Sequence, residues 1–168
     1  MKLRPYKNSD AKHVVQWVKD ETTYYQWCAG LIGEYPLKEE RLNMYYDKLQ
    51  DNTACWGMTA EDEMGVVGHM CMRFLDRARE TVRLGFVLVD HERRGQGLGR
   101  ELVSMGIRYA HIFLGAKQIS LGVYAGNTCA KKCYESLGFV QDGDLVIKYE
   151  VKEEDWDCIE MILTDLRK

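Results

Sequence analysis

The chain has 168 residues, of which 46% are hydrophobic and 29% are charged, and its formal net charge at pH 7 is −3. This length and composition exclude a disordered chain and predict one globular domain, residues 1–168, whose core needs no disulfide or structural metal. The acidic balance disfavours a nucleic-acid partner, and the lack of a long apolar run or a signal peptide predicts a cytoplasmic protein with no membrane partner.

The first half of the chain predicts one strand, two helices and three further strands. Helix-capping side chains at Asn8, Ser9 and Asp10 indicate where the first helix begins, and its apolar pattern fades near Glu21. Short connections between the later strands favour antiparallel neighbours. The predicted elements are strands 3–6, 55–60, 66–74 and 83–89 and helices 10–21 and 39–49, with an irregular stretch at 24–36.

The second half predicts a long helix, a strand, a second helix and a closing pair of strands. Apolar residues recur every three or four positions from Leu98 to Ile112, and the helix that opens at Asn127 stops at Gly138. Strands are predicted at 119–124, 141–152 and 158–164. The element order describes a mixed α/β fold of the α+β class, in which about four helices flank a central, mostly antiparallel sheet of about six to seven strands.

Six cysteines have no C-x-x-C pairing and are predicted to be reduced thiols. Cys129 and Cys133 lie one helical turn apart, but the four histidines are scattered without ligand spacing, so we predict no metal site. Packing, or an ordinary surface thiol, is the simpler role for these two cysteines.

A glycine-rich turn at residues 93–100 carries the first functional signal. Three glycines on alternate positions bring backbone N–H groups together at the start of a helix, and Arg93, Arg94 and Arg100 add positive charge, which favours a phosphate or pyrophosphate. A Walker A loop is excluded because Arg100 and Glu101 follow the last glycine. A dinucleotide fingerprint is excluded by the G-x-G-x-G spacing and by the lack of a carboxylate about 20 residues later. The alternative is a turn that binds nothing.

Two segments resemble motifs of the GNAT superfamily of N-acyltransferases. Residues 94–99 match the core Q/R-x-x-G-x-G/A of its acyl-CoA motif, and residues 127–139 match the later pattern N-x-x-A-x-x-x-Y-x-x-x-G-F. His91 stands where many members have proline. The chain is also somewhat similar to the branch that contains the ribosomal-protein N-terminal acetyltransferases. The resemblance implies that residues 1–168 form one acyl-CoA N-acyltransferase domain with a splayed sheet.

The resemblance further implies acetyl-CoA as co-substrate and assigns its contacts. Amides of residues 94–99 would bind the pyrophosphate, while Val87 and Val89 would pair with the pantetheine arm between strands that separate near Val87 and Val123. Tyr134 would lie beside the sulfur. The full set of implied cofactor-binding residues is Val87, Leu88, Val89, Arg94, Gly95, Gln96, Gly97, Leu98, Gly99, Arg100, Asn127, Ala130 and Tyr134.

Acetyl transfer to an amine needs a hydrogen-bond donor that stabilises the carbonyl oxygen and a proton for the departing thiolate. We expect a backbone N–H of residues 87–89 to donate a hydrogen bond to the carbonyl oxygen, and Tyr134 to be the catalytic acid. A phenol of pKa about 10 is a weaker acid than a thiol of about 8.5, so full proton transfer requires that the site lower the phenol's pKa. No general base is identified. An α-amino group is therefore an easier acceptor than lysine, and a small polyamine, an amino acid or an antibiotic amine is equally compatible.

The acceptor is predicted to bind in a groove formed by residues 24–46 with the acids Glu21 and Glu34, unless these aromatics are core residues. The predicted activity is direct N-acetyl transfer from acetyl-CoA to a primary amine, on a small molecule or a protein N-terminus, in a ternary complex. The alternatives are a covalent route through Cys129 or Cys133, a different acyl donor, and a non-catalytic acyl-CoA sensor. A homodimer through the closing strands is a further expectation.

Overall fold

The computed structural model describes residues 1–49 and 52–166, and its central feature is a seven-stranded sheet. The strands are β1 (Lys2–Pro5), β2 (Cys55–Asp62), β3 (Gly65–Phe74), β4 (Thr81–Val89), β5 (Gln118–Tyr124), β6 (Val140–Val151) and β7 (Glu154–Leu163), arranged in the order β1-β2-β3-β4-β5-β7-β6. The helices are α1 (Ala11–Trp17), α2 (Glu21–Cys28), α3 (Glu39–Asp47), α4 (Leu98–Ile112) and α5 (Thr128–Ser136), and 3₁₀ turns cover Asn8–Asp10 and His91–Arg93.

The pair β4 and β5 is parallel, while the other neighbouring strands in this sheet run antiparallel. The parallel ladder is short: it joins Thr81 to Gln118, Val82 to Ile119 and Arg83 to Ser120. Beyond these positions β4 and β5 separate, and the sheet opens on its carboxyl side. The connection from β4 to β5 passes through α4, as a parallel pair requires.

Hydrophobic cores lie on both faces of the sheet. On one face, α4 packs Leu102 and Val103 against Met70 and Leu84. A Cβ on Gly106 would stand 2.9 Å from Met70 Sδ, so glycine allows the helix to approach the sheet closely. Helices α1, α2 and α3 cover the other face with a second, aromatic-rich cluster. The buried face of α4 is Leu98, Leu102, Val103, Gly106, Ile107 and Ala110.

The mixed, mostly antiparallel fold expected from the sequence is confirmed, with one more helix than predicted. Helix α2 covers residues predicted to be irregular, since crowded aromatics hid its periodicity. It begins after Asp20, whose carboxylate accepts hydrogen bonds from the Thr23 amide at 2.7 Å and from its hydroxyl at 2.9 Å. It ends at Ala29 in a left-handed conformation, with φ of 52°.

The N-terminal strand is tied to the sheet by a buried carboxylate. Asp10 is 3% exposed and accepts hydrogen bonds from Arg4, from the Lys7 amide and from the Thr59 hydroxyl, at distances from 2.7 to 3.0 Å. Burial opposes ionisation, but these donors outweigh it and hold the pKa of Asp10 below its usual range. One side chain thus joins β1, the first 3₁₀ turn and β2.

Candidate active site

The glycine-rich turn forms an open, electropositive corner at the N-terminus of α4. Gly95 and Gly97 have φ of 80° and 81°, a backbone conformation that glycine adopts without strain. A Cβ at Gly95, Gly97 or Gly99 would meet open space rather than any described part of the chain, so a ligand can reach the backbone directly. No described side chain caps α4, and its first N–H groups stay available for an anion.

The three arginines of the turn have different surroundings. Arg94 and Arg100 line the cleft beside the turn, whereas Arg93 donates to Asp62 at 2.7 Å. This ion pair raises the pKa of Arg93 and fixes its side chain on the β2–β3 hairpin. The sequence predicted that all three arginines supply positive charge to an anion. In the structure Arg94 and Arg100 can do so, whereas Arg93 is paired with Asp62.

A cleft of about 560 Å³ runs from this turn into the gap between β4 and β5. We call it the large cleft. Both strands line it, Val87 to Val89 on one side and Leu121 to Tyr124 on the other, together with the start of α4 and the inner side of α5. The predicted cofactor-binding residues that line it are Val87, Leu88, Val89, Arg94, Gly95, Gly97, Leu98, Gly99, Arg100, Asn127, Ala130 and Tyr134; Gln96 does not line it.

Helix α5 and its N-cap bring three predicted residues, Asn127, Ala130 and Tyr134, to the large cleft. Asn127 is the N-cap, and its side-chain oxygen accepts the Ala130 amide at 3.2 Å. That oxygen is thus occupied by the helix, and the amide nitrogen of Asn127 is the part left to meet a ligand.

Tyr134 lies at the inner end of the large cleft and is 8% exposed. Burial, followed by the neighbouring Cys133, raises the pKa of its phenol above the ordinary value. Full proton transfer from Tyr134 to the thiolate would require a lowered phenol pKa, and these surroundings raise it instead. The phenol stays protonated, and within the described residues its hydroxyl has no hydrogen-bond partner, which leaves it free to donate to a ligand.

A bulge in β4 lies where the two strands separate, and the sequence carried no signal for it. His69 pairs with Leu88 and Cys71 with Gly85, so Phe86 and Val87 together face Met70. Phe86 has φ of 51°, an unusual conformation for an aromatic residue. The Trp27 indole donates to the Phe86 carbonyl at 2.7 Å and holds the bulge in place. Such a bulge leaves one residue of β4 unpaired in the ladder with β3, beside the large cleft that Phe86 and Val87 line.

A second cavity of about 130 Å³ adjoins the large cleft and shares Gln26, Trp27, Phe86 and Tyr124 with it. We call it the small cavity. Aromatic side chains form much of its wall: Trp27, Tyr45 and Phe86 on one side, with Tyr124 and Tyr149 from the far side of the sheet opening. Phe86 places the small cavity beside the bulge of β4.

The predicted acceptor groove is partly wrong. Tyr24 and Tyr46 are core residues: the Tyr24 hydroxyl donates to the Gly33 carbonyl at 2.7 Å, and the Tyr46 hydroxyl lies 2.7 Å from His69 Nε2. Glu21 pairs with Lys152, and neither Glu21 nor Glu34 lines a cavity. The stretch does contribute other side chains to the small cavity, namely Gln26, Trp27, Cys28, Leu31 and Tyr45, with the backbone of Ala29.

A buried ion pair lies beside the small cavity, whose lining includes Arg83, and the sequence did not single it out. Arg83 on β4 forms two hydrogen bonds with Glu160 on β7, one at 2.8 Å, and Glu160 is 6% exposed. Gly122 of β5 makes room for them, since a Cβ there would lie 2.6 Å from Arg83 Nη2. The carboxylate of Glu160 is thus held by a guanidinium rather than left to act as a base.

The cysteines that line the two cavities differ in the pKa of their thiols. Cys55 Sγ and Cys71 Sγ lie 3.5 Å apart on the wall of the small cavity. The hydrogen bond from Cys71 lowers the pKa of the Cys55 thiol to about 7, against the effect of burial. Burial raises the pKa of Cys133, which disfavours a covalent route through that thiol. Across residues 1–49 and 52–166, no group of three or more His, Cys, Asp or Glu is arranged to hold a metal ion.

Comparison with known proteins identifies the family. The family model described as an acetyltransferase (GNAT) domain matches residues 1–140. The chain therefore belongs to the GNAT acetyltransferases, a family of enzymes, as the two sequence motifs predicted. None of the helices in the described part of the chain is long and apolar enough to cross a membrane.

The relatives act on chemically different amines. The 5-NmdU N-acetyltransferase of Pseudomonas phage PaMx11 is 35% identical over 91 residues, which cover 53% of this chain and 60% of that protein. The spermidine N(1)-acetyltransferase of Vibrio cholerae is 22% identical over 147 residues, 88% of this chain and 83% of that protein. A crystal structure of spermidine N-acetyltransferase from Vibrio cholerae, in complex with CoA and spermine, superposes with a TM-score of 0.81 at 20% identity, covering 96% and 94% of the two chains.

Proposed function

We propose that the protein transfers the acetyl group of acetyl-CoA directly to a primary amine in a ternary complex. The observation that carries this proposal is the continuity of the large cleft, which joins the uncapped N-terminus of α4 to Tyr134 through the opening between β4 and β5. An anion-binding corner, a slot between two strand edges and a protonated phenol match the three parts of a CoA thioester: pyrophosphate, pantetheine and sulfur.

In this proposal acetyl-CoA binds mainly to backbone groups of the protein and less to side chains. Amides of residues 94–99, Gln96 included, bind the pyrophosphate, with charge from Arg94 and Arg100. The pantetheine arm pairs with Val87 and Val89 and receives a hydrogen bond from the Asn127 amide. The strands need not move apart to admit it, because they already diverge beyond Arg83.

The amine nitrogen then forms a bond to the thioester carbonyl carbon while the carbon–sulfur bond breaks. A backbone N–H freed by the bulge at Phe86 and Val87 stabilises the negative carbonyl oxygen, because a preorganised amide acts where charge develops. Tyr134 donates a hydrogen bond to the departing thiolate. The nitrogen of the tetrahedral intermediate loses its proton to water to give the amide, and the thiolate takes up one proton from water to give the CoA thiol.

The amine has to arrive neutral. Among the described residues no Asp or Glu lines the large cleft or the small cavity, so a dedicated carboxylate base is lacking there. At pH 7 roughly one lysine amine in a few thousand is neutral, against about one in ten for an α-amine with pKa near 8. The proposal therefore favours weakly basic amines.

The relationship to ribosomal-protein N-terminal acetyltransferases stays a prediction; the two relatives described above are named for 5-NmdU and for spermidine. A single acyltransferase domain over residues 1–168, a cytoplasmic location and a homodimer are likewise proposals. The edge strand β6 supports the last of these, because it exposes Leu145, Val146 and Ile147 next to unpaired backbone groups.

The direct test is release of CoA thiol from acetyl-CoA as a function of added amine. We expect release that saturates with both substrates and gives intersecting initial-rate patterns, as a ternary complex requires. Parallel patterns would instead indicate a covalent acetyl-enzyme. Tight acetyl-CoA binding with no release for any amine would favour the second candidate, a non-catalytic sensor, which the absence of a carboxylate base in the described linings also favours.

A further inference from the structure

We propose that the small cavity binds the acceptor, and that this acceptor is an amine with a body about one aromatic ring long and an anionic group at the end far from its nitrogen. The inference rests on the proposed function, because it takes the amine to be acetylated in the adjoining large cleft. Four observations support it: charge, the missing carboxylates, size and distance.

The first observation is an arginine in the wall that forms no ion pair with a described residue. Arg73 of β3 lies directly opposite Arg83 of β4 in the sheet, and both line the small cavity. Like charges at directly opposed positions destabilise a sheet unless they are neutralised. Glu160 neutralises Arg83, whereas Arg73 is exposed and has no ion pair with any described residue. A negative group on the ligand would provide the missing partner for Arg73.

The second observation concerns cations. Binding a polyamine requires a carboxylate or a comparable acceptor for each ammonium group that does not react. In the described linings of both cavities the Asp, Glu, Lys and Arg side chains are Arg73, Arg83, Arg94, Arg100 and Lys132, all positive, and the Cys55 thiol, with its pKa of about 7, adds a partial negative charge. A second ammonium group would therefore be repelled. This chain differs in substrate class, on our proposal, from the Vibrio cholerae proteins whose names refer to spermidine.

The third observation is the size and surface of the cavity. Its volume is about 130 Å³. A closed apolar cavity of about 150 Å³ holds one benzene ring, so the available space matches a single ring rather than a larger fused system. The rings of Trp27 and Tyr45 both contact Phe86, with centroids 5.4 and 5.7 Å away, and together they form a broad aromatic surface. Such walls favour a flat, aromatic body.

The fourth observation sets the distance between the two polar ends. The reacting carbonyl lies near the bulge at Val87, and Arg73 lies level with Arg83, four residues earlier on β4. At 3.3 Å per residue these levels are roughly 13 Å apart along the strand. An arginine side chain spans part of this distance and a ring spans the rest. The amine and the anion therefore lie at opposite ends of the acceptor.

The test compares amines that differ in one feature. 4-(2-Aminoethyl)benzoate carries the far carboxylate, 2-phenylethylamine lacks it, phenylalanine has its carboxylate beside the amine, and spermidine is a flexible polycation. We expect the benzoate to have the lowest KM, about fivefold below that of 2-phenylethylamine, since an exposed ion pair contributes up to about 1 kcal/mol. Calorimetric titration of each amine into the protein saturated with CoA gives the same ranking without catalysis.

The matched variants are Arg73→Gln and Arg77→Gln, because Arg77 is also exposed but lines neither cavity. We expect Arg73→Gln to abolish the preference for the benzoate while the KM for acetyl-CoA and the affinity for 2-phenylethylamine stay unchanged. Arg77→Gln should retain the preference. An effect of Arg73→Gln on the KM for the benzoate but not on that for 2-phenylethylamine indicates a binding role, because a general loss of stability would affect both.

Two results would overturn the inference and leave the acetyltransferase proposal intact: acetylation of spermidine in preference to the ring amines, or equal KM values for the benzoate and 2-phenylethylamine. Binding of the benzoate to the CoA complex without thiol release from any amine would contradict the proposed function and retain the assigned site. Failure of acetyl-CoA itself to bind would remove both.

Discussion

Tyr134 has surroundings that fit a hydrogen-bond donor better than a strong acid. Its phenol is 8% exposed, and burial raises its pKa above the ordinary 10. A neutral phenol next to a developing thiolate lowers the charge on sulfur by donating a hydrogen bond, and the proton can reach sulfur as the product leaves. The residue is thus useful because it does not ionise in the working pH range.

We predict that Tyr134→Phe lowers kcat by about tenfold to a hundredfold, the contribution of one positioned donor, and leaves the KM for acetyl-CoA unchanged. In the unsubstituted protein, Tyr134 should cause no loss of activity up to pH 10, because its raised pKa keeps the phenol protonated there. The check is a pH profile of kcat between pH 7 and 10 for both proteins. An unchanged kcat in the variant would remove the role of Tyr134.

Cys55 gives a residue-scale test of the small cavity. Because its thiol pKa is lowered to about 7 by the hydrogen bond from Cys71, we predict that its alkylation rate is half-maximal near pH 7 and level above pH 8. Mass spectrometry of peptides after short exposure to iodoacetamide measures the rate. Cys71→Ala should move the profile of Cys55 toward the ordinary thiol pKa of about 8.5. A profile unaffected by Cys71→Ala would contradict the assigned contact.

At the scale of elements, the opening between β4 and β5 depends on a short parallel ladder and a bulge. Three pairs hold the strands together at residues 81–83, the bulge at Phe86 turns β4 away, and Gly122 of β5 leaves room for Arg83 and Glu160 beneath the gap. The gap is therefore part of the resting fold and needs no ligand to form it.

The contact between β1, the first 3₁₀ turn and β2 predicts a pH-dependent stability. Asp10→Asn should lower the free energy of unfolding at pH 7 by about 1 to 3 kcal/mol, because Arg4 loses its buried charged partner while it keeps its ion pair with Glu61. The lowered pKa of Asp10 means that the unfolded chain takes up its proton first as pH falls. Its stabilisation is present above about pH 4 and is lost as the pH drops below that value.

Urea unfolding of the two proteins at pH 7 and pH 3 measures this difference. We expect the difference between the two curves to be smaller at pH 3 than at pH 7. Thr59→Val removes one weaker donor to the same carboxylate and serves as the control, with a smaller loss at pH 7. An equal gap between Asp10→Asn and the unsubstituted protein at both pH values would contradict the assigned cause.

Over the whole molecule, the sequence predicts the features that depend on residues close together in the chain, and it does not predict those that depend on residues brought together by the fold. The glycine turn and the N-cap at Asn127 are local, and the residues that indicate them are close neighbours in the sequence. Arg83 and Glu160 are 77 residues apart, and either one looks like a surface charge until the sheet order brings β4, β5 and β7 together. The bulge at Phe86 likewise depends on its partner strand and on Trp27, so no local pattern indicates it.

Thermal unfolding of the protein with saturating acetyl-CoA, compared with ATP and NAD, tests whether the large cleft binds an acyl-CoA. At a hundred times its dissociation constant a ligand stabilises the fold by about 2.7 kcal/mol, which corresponds to a rise in Tm of roughly 5 °C or more for a chain of this length. We predict this rise with acetyl-CoA and a much smaller one with ATP or NAD. No rise with acetyl-CoA, or an equal rise with all three, would contradict the assignment of the large cleft to an acyl-CoA.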